Sequence, residues 1–110
     1  MIRMEELMIK HIVIWKLKES DGESVKAANA KKLKTDIEAL KEEIPEIKNI
    51  EVGLNMSASD QSGDVVLYSE FNSLADLEIY QNHPAHQKVV EFVKEVVSER
   101  RVVDYDVKQG

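Results

Sequence analysis

The chain has 110 residues, of which 21 are acidic and 15 basic, giving a formal net charge of -6. This length suits one domain with one hydrophobic core. A nucleic-acid-binding protein normally carries a basic face, because phosphate contacts dominate its affinity. Here the lysines are interleaved with glutamates, as in KKLKTDIEALKEE, which predicts solvated helix faces and no nucleic-acid partner.

The sequence contains no cysteine, which excludes disulfides, thiol catalysis and cysteine-bound metal. It has no apolar run long enough to span a bilayer, and MIRMEEL lacks the apolar core of a signal peptide. We therefore expect a cytoplasmic protein that does not associate with membranes. Because Met4 and Met8 could each be a start, residues 1–7 are predicted to be an N-terminal extension, and residues 8–110 a single domain.

The first half of the chain predicts a strand, a helix and a second strand. MIKHIVIWKL (8–17) alternates with a two-residue period. One face carries Ile9, His11, Val13, Trp15 and Leu17, and the other carries Ile12 and Ile14. Residues 23–43 predict a helix capped by Ser20 or Ser24, with an apolar stripe of Ala30, Leu33, Ile37, Leu40 and Ile44. IKNIEVGLN (47–55) reads as the second strand.

The second half adds two strands and a broken helix. VVLYSEF (65–71) is the third strand, after a polar loop, Met56 to Asp64, that we expect to be mobile. NSLADLEIYQ predicts a short helix that is capped by Ser73, carries Leu74, Leu77 and Tyr80, and stops at His83. PAHQKVVEFVKEVVSE (84–99) predicts a helix from its recurring apolar doublets, and RVVDYDV (101–107) the last strand.

This βαββαβ order predicts an α+β, ferredoxin-like fold, in which helices cover one face of a four-stranded antiparallel sheet. The uncovered face carries Ile12, Ile14, Val66 and Tyr68. A large exposed apolar patch usually marks an interface. We therefore expect a homodimer, a dimeric α/β barrel packed sheet against sheet.

Three stretches carry a resemblance to a known family: MIKHIVIWKLK, VVLYSEFNSLADLEIYQNHPAH and VVDYDV. They resemble the stress-responsive dimeric α/β-barrel (Dabb) domain over nearly all of residues 8–107. The resemblance implies two ferredoxin-like subunits whose sheets close into one barrel, and a cavity between sheet and helices in each. One plant branch contains polyketide cyclases, which act by aldol condensation. Tyr80 and His86 match its implicated Tyr and His, His11 matches a cavity histidine, and a further histidine of that branch falls at Val65 here.

The residues themselves also point to the Tyr80–His86 region. His86 is the third residue of its predicted helix, where unpaired amides disfavour imidazolium and leave a neutral general base. Tyr80 could polarise a carbonyl while His86 removes an α proton; the alternative is that both simply pack. His11 is either a ligand-orienting or a core residue. The expected cavity wall comprises Val13, Trp15, Leu67, Val89, Val90 and Val97.

Two further polar residues have structural alternatives. His83 precedes Pro84 and is expected to cap the helix; with His86 it lacks the nearby carboxylate that a metal site would need. Asp104 could orient a histidine if it lines the cavity, but an ordinary exposed Asp is the simpler expectation.

We therefore expect a small-molecule-binding protein, with no cofactor and no metal, that holds an apolar or carbonyl-containing ligand. It would be cyclase- or isomerase-like if Tyr80 and His86 are catalytic. One alternative is a non-catalytic, stress-associated binding module. The other is a monooxygenase or haem-handling relative of the same superfamily; it ranks last because the sequence offers no argument for a bound haem.

Overall fold

The computed structural model describes residues 8–107, so the predicted extension, residues 1–7, lies outside the described part of the chain. The elements are β1 (Ile9–Leu17), α1 (Glu23–Glu38), α2 (Leu40–Glu43), β2 (Asn49–Leu54), β3 (Val65–Phe71), α3 (Leu74–Asn82), α4 (Pro84–Val96) and β4 (Val97–Asp106). The strands pair in the order β2-β3-β1-β4, and each pair is antiparallel. The ferredoxin-like α+β prediction is confirmed.

The alternation of β1 determines which face of the sheet the helices cover. All five residues predicted to share one face, Ile9 to Leu17 at every second position, are buried. The apolar stripe of the first helix packs on them through Leu33, Ile37, Leu40 and Ile44, all at most 2% exposed. Sheet and helices thus enclose one core, as the two periodicities predict.

Neither Ser20 nor Ser24 caps the first helix. Its N-cap is Gly22, with φ at +95°, a left-handed conformation that side chains other than glycine rarely adopt. The predicted helix over 23–43 is also interrupted at Ala39, which separates α1 from α2.

The junction between α3 and α4 is built from side-chain caps. The Ser73 hydroxyl accepts a hydrogen bond from the Asp76 amide at 3.1 Å, as predicted. The His83 Nδ1 accepts one from the Ala85 amide at 3.0 Å, which confirms its capping role. Of the apolar residues of α3, Leu77 and Tyr80 are buried, whereas Leu74 is 66% exposed.

The last helix ends three residues earlier than predicted. It stops at Val96, and Val97 begins β4 in an extended conformation. β4 pairs with β1 along the whole length of β1, so that Val97 lies opposite Leu17 and Arg100 opposite Trp15. The predicted helix to Glu99 was wrong because pairing with this long strand overrides the local helical period.

The other face of the sheet carries no helix. Its exposed apolar side chains include Ile14 at 42%, Val66 at 37% and Val103 at 58%. Because Ile12 lies opposite Val103, and Ile14 opposite Val66, these residues form one continuous surface, which we call the outer face.

The free edge of β2 is covered by side chains. Lys34 Nζ donates to the Val52 carbonyl at 2.7 Å, and the Val52 amide donates to Glu38 at 3.0 Å. Lys34 and Glu38 also pair with each other at 2.8 Å. The Asn49 side chain accepts from the Ile50 amide at 3.0 Å. One turn of α1 thus satisfies the backbone of the neighbouring strand.

Candidate functional site

A cavity of about 290 Å³ lies between the sheet and helices α1, α3 and α4. Its wall includes all the predicted site residues except one: His11, Tyr80, His86, Val13, Trp15, Leu67, Val89 and Val90. Val97 does not line it, because this residue has left the helix and begins β4. The volume suits a small organic ligand.

The Pro84 junction brings Tyr80 and His86 together. Tyr80 lies in the last turn of α3, and His86 in the first turn of α4, with their ring centroids 4.4 Å apart. Tyr80 is 1% exposed, and its hydroxyl makes no hydrogen bond with any described residue. Burial raises the pKa of Tyr80 above its ordinary value, although the nearby charge of Arg100 opposes this. Tyr80 is therefore a neutral hydrogen-bond donor at physiological pH.

The neighbours of His86 determine its protonation state. Its Nδ1 lies 3.0 Å from the Gln81 carbonyl oxygen, which can only accept, so Nδ1 carries the ring proton. Nε2 then holds the free lone pair and has no hydrogen-bond partner among residues 8–107. Burial lowers the pKa of His86, and the charges near it act in the same direction, while the Gln81 hydrogen bond opposes them. The result is a neutral imidazole with its basic nitrogen unoccupied.

His11 reaches the same cavity from β1. Its Nδ1 lies 2.5 Å from Asp104 Oδ1, and the two residues are direct cross-strand partners on β1 and β4. The His11 ring contacts Tyr80 edge-on, with centroids 6.1 Å apart. Asp104 is not itself part of the cavity wall, but its carboxylate fixes the orientation of His11. Asp104 was expected either to orient a histidine or to be an ordinary exposed residue, and its contact with His11 favours the first role.

Four residues of the wall were missed by sequence reasoning: Ile37, Val93, Lys94 and Arg100. Ile37 and Val93 were recognised only as members of apolar helical patterns. Arg100 reaches the cavity because it is the cross-strand partner of Trp15, a register that only the longer β4 creates. Trp15 is 4% exposed, and its buried indole Nε1 has no hydrogen-bond partner in the described part of the chain.

His83 and the other potential metal ligands among residues 8–107 do not form a metal site. His83 is engaged in capping α4, away from this cavity. Within residues 8–107, no three His, Asp or Glu side chains lie close enough to one another to hold a metal ion. The helices of the same range are too short or too polar to cross a membrane.

A family model described as "Stress responsive A/B Barrel Domain" (Dabb) matches residues 9–107. No curated protein matches the sequence. Among solved structures, a dimeric protein of unknown function with a ferredoxin-like fold from Bacteroides fragilis is 38% identical. It superposes with a TM-score of 0.83 over 90% of this chain and 95% of its own.

Two more distant structures share the fold. The hydroxynitrile lyase from Passiflora edulis is 18% identical, with a TM-score of 0.77 over 94% of this chain and 95% of its own. A Dabb family protein from Mesorhizobium loti is 23% identical, with a TM-score of 0.67 over 90% of this chain and 95% of its own. At these identities the likeness extends to the fold and no further.

Proposed function

The chain belongs to the Dabb, or stress responsive A/B barrel domain, family, and from this premise we propose that it is a homodimeric enzyme acting on a small carbonyl compound. Its chemistry would be cyclase- or isomerase-like, with His86 as the general base, Tyr80 as the hydrogen-bond donor and His11 orienting the ligand.

One observation carries the proposal. The Tyr80 hydroxyl, His86 Nε2 and His11 Nε2 all belong to residues lining one cavity, and none has a hydrogen-bond partner within residues 8–107. Because their residues line one largely apolar cavity, a ligand held there could supply partners for all three atoms. Packing alone would explain the rings but not the three free polar atoms.

The geometry supports a two-step proton transfer. The Tyr80 hydroxyl donates a hydrogen bond to the substrate carbonyl oxygen, which acidifies the adjacent C–H. His86 Nε2 takes that proton, and the C–H electron pair moves into the enolate, whose oxygen Tyr80 stabilises. The enolate then either attacks a second carbonyl carbon, whose oxygen takes the proton back from His86, or, in a substrate with a conjugated double bond, is reprotonated by His86 at the far carbon of that double bond. The first outcome closes a ring, and the second isomerises the substrate.

The dimer part of the proposal is supported by the outer face. Apolar side chains at 37–58% exposure form one surface across β3, β1 and β4. The Bacteroides relative, 38% identical over most of both chains, is described as dimeric. Packing two outer faces together would remove this apolar surface from water.

The test measures α-proton exchange in phenylacetone, a ketone with an apolar ring, by NMR in deuterated water. We expect the protein to accelerate deuterium incorporation, and His86→Gln to lose most of that acceleration, since a positioned base contributes about 100-fold or more. Tyr80→Phe should reduce exchange while leaving the melting temperature nearly unchanged, because the lost hydroxyl has no hydrogen-bond partner among residues 8–107.

His83→Asn is the matched control. It removes a histidine three residues from His86, yet asparagine can still accept the helix-capping hydrogen bond. It should exchange like the unaltered protein. If phenylacetone quenches the fluorescence of Trp15 but exchanges no faster than in buffer, the protein is the non-catalytic binding module. If Tyr80→Phe and His86→Gln only lower the melting temperature, the two residues serve packing.

A further inference from the structure

We propose that the ligand carries a carboxylate in addition to its carbonyl group, and that Arg100, assisted by Lys94, binds this carboxylate at the exposed end of the cavity. This inference rests on the proposed function and names the substrate class of the same site.

The cavity has a buried end and an exposed end. Tyr80 and His11 are 1% and 3% exposed, whereas Lys94 and Arg100 are both exposed. Between them the wall is apolar, formed mainly by Val13, Leu67, Val89, Val90 and Val93. A ligand that fills this space therefore meets neutral hydrogen-bonding groups at one end and cations at the other.

The guanidinium of Arg100 is available for a ligand. It makes no hydrogen bond or ion pair with any described residue, whereas the adjacent Arg101 pairs with Glu99 at 3.5 Å. The two arginines alternate across β4, so Arg101 lies on the outer face while Arg100 lies beside Trp15 on the cavity side. A planar guanidinium can bind a carboxylate through two parallel hydrogen bonds.

The local charge at the cavity is opposite to that of the whole chain. Among the residues that line it, Lys94 and Arg100 are the permanently charged ones, and no carboxylate is present. Lys94 lies 3.7 Å from Glu91, but both side chains are at least 70% exposed, so this pair is weak. In a chain with a net charge of -6, two cations at one cavity with no carboxylate in its wall favour an anionic ligand there.

Two observations connect this end to the buried end. Arg100 is close enough for its charge to act on both Tyr80 and His86. Trp15, which lines the cavity as the cross-strand partner of Arg100, contributes an indole N–H that has no acceptor within residues 8–107. A keto acid would supply acceptors along the whole cavity: its ketone for Tyr80 and its carboxylate for Arg100.

The experiment compares two probes of nearly equal shape, 3-benzoylpropionate and its neutral amide, 3-benzoylpropionamide. Binding is followed by quenching of the fluorescence of Trp15, the single tryptophan of the chain. We expect the acid to bind about 10-fold or more tightly than the amide at low salt, as a charge-assisted pair would provide. Arg100→Met should abolish this preference, and Arg100→Lys should retain part of it.

Lys88→Met is the matched control, since it removes an exposed cation from α4 that does not line this cavity. It should keep the preference for the acid. Equal binding of acid and amide, or an acid preference that survives in Arg100→Met, overturns the inference and leaves the proposed carbonyl chemistry intact. Failure of both probes to bind the unaltered protein overturns the proposed function and this inference with it.

Discussion

Replacing Ile14 by lysine should separate the proposed dimer into monomers. Ile14 lies at the centre of the outer face, between Val66 on β3 and Arg101 on β4, and is 42% exposed in the single chain. The Ile14 side chain also packs tightly against Gly63: a Cβ added at Gly63 would lie only 2.3 Å from the Ile14 Cγ2. Lysine at this position would place a charge at the middle of a sheet-against-sheet interface.

The size of the effect follows from the exposed fraction. Full burial of an isoleucine contributes about 1.5–3 kcal/mol, so burial of the remaining 42% contributes about 0.6–1.3 kcal/mol per chain. Two-fold symmetry doubles this to about 1–2.5 kcal/mol. The desolvated ammonium groups and the like charge of Arg101 opposite add to the loss. A total of at least about 3 kcal/mol corresponds to a rise in dimer Kd of about 100-fold or more.

Sedimentation equilibrium over a range of micromolar concentrations measures this Kd, and circular dichroism checks that the variant is folded. Val25→Lys is the control, because Val25 is 41% exposed but lies on α1, away from the outer face. It should sediment like the unaltered protein. A folded Ile14→Lys variant that remains as dimeric as the control would refute the reasoning, as would an unaltered protein that is monomeric.

Two further predictions concern pH and motion. Because the pKa of His86 is lower in the folded chain than its ordinary value of 6.5, the unfolded chain binds more protons as the pH falls through about 6.5. Urea unfolding should therefore show stability decreasing below that pH, and His86→Gln should reduce the slope; an identical slope in the variant would contradict this. The loop from Met56 to Asp64 is largely exposed and polar, so hydrogen exchange should be faster there than in any other internal segment, and protection equal to that of β3 would count against it.

Local patterns predicted much of the fold because their causes are local. Each of these patterns involves residues close together in the sequence. They are the alternation along β1, the apolar stripe on α1, and the helix caps at Ser73 and His83. The cytoplasmic location stays a prediction of the sequence.

Features that depend on strand pairing were harder to foresee. The end of α4 and the start of β4 are decided by pairing with β1, about 80 positions earlier in the chain. For the same reason the Asp104 contact with His11 and the entry of Arg100 into the cavity could not be read from periodicity. Tyr80, His86 and His11, in contrast, were singled out by the helix junction and by family resemblance.

The side-chain cover on β2 has a consequence for how these sheets meet other chains. Unpaired amides and carbonyls at a sheet edge invite an additional strand from a second molecule, a route to aggregation. On β2 an incoming strand would first have to displace Lys34 and Glu38 from the Val52 backbone, and Asn49 from the Ile50 amide. The proposed dimer would form by stacking sheet faces, so the sheet edges need to stay unpaired. α1 protects the β2 edge through the same turn that buries Leu33 and Ile37 in the core.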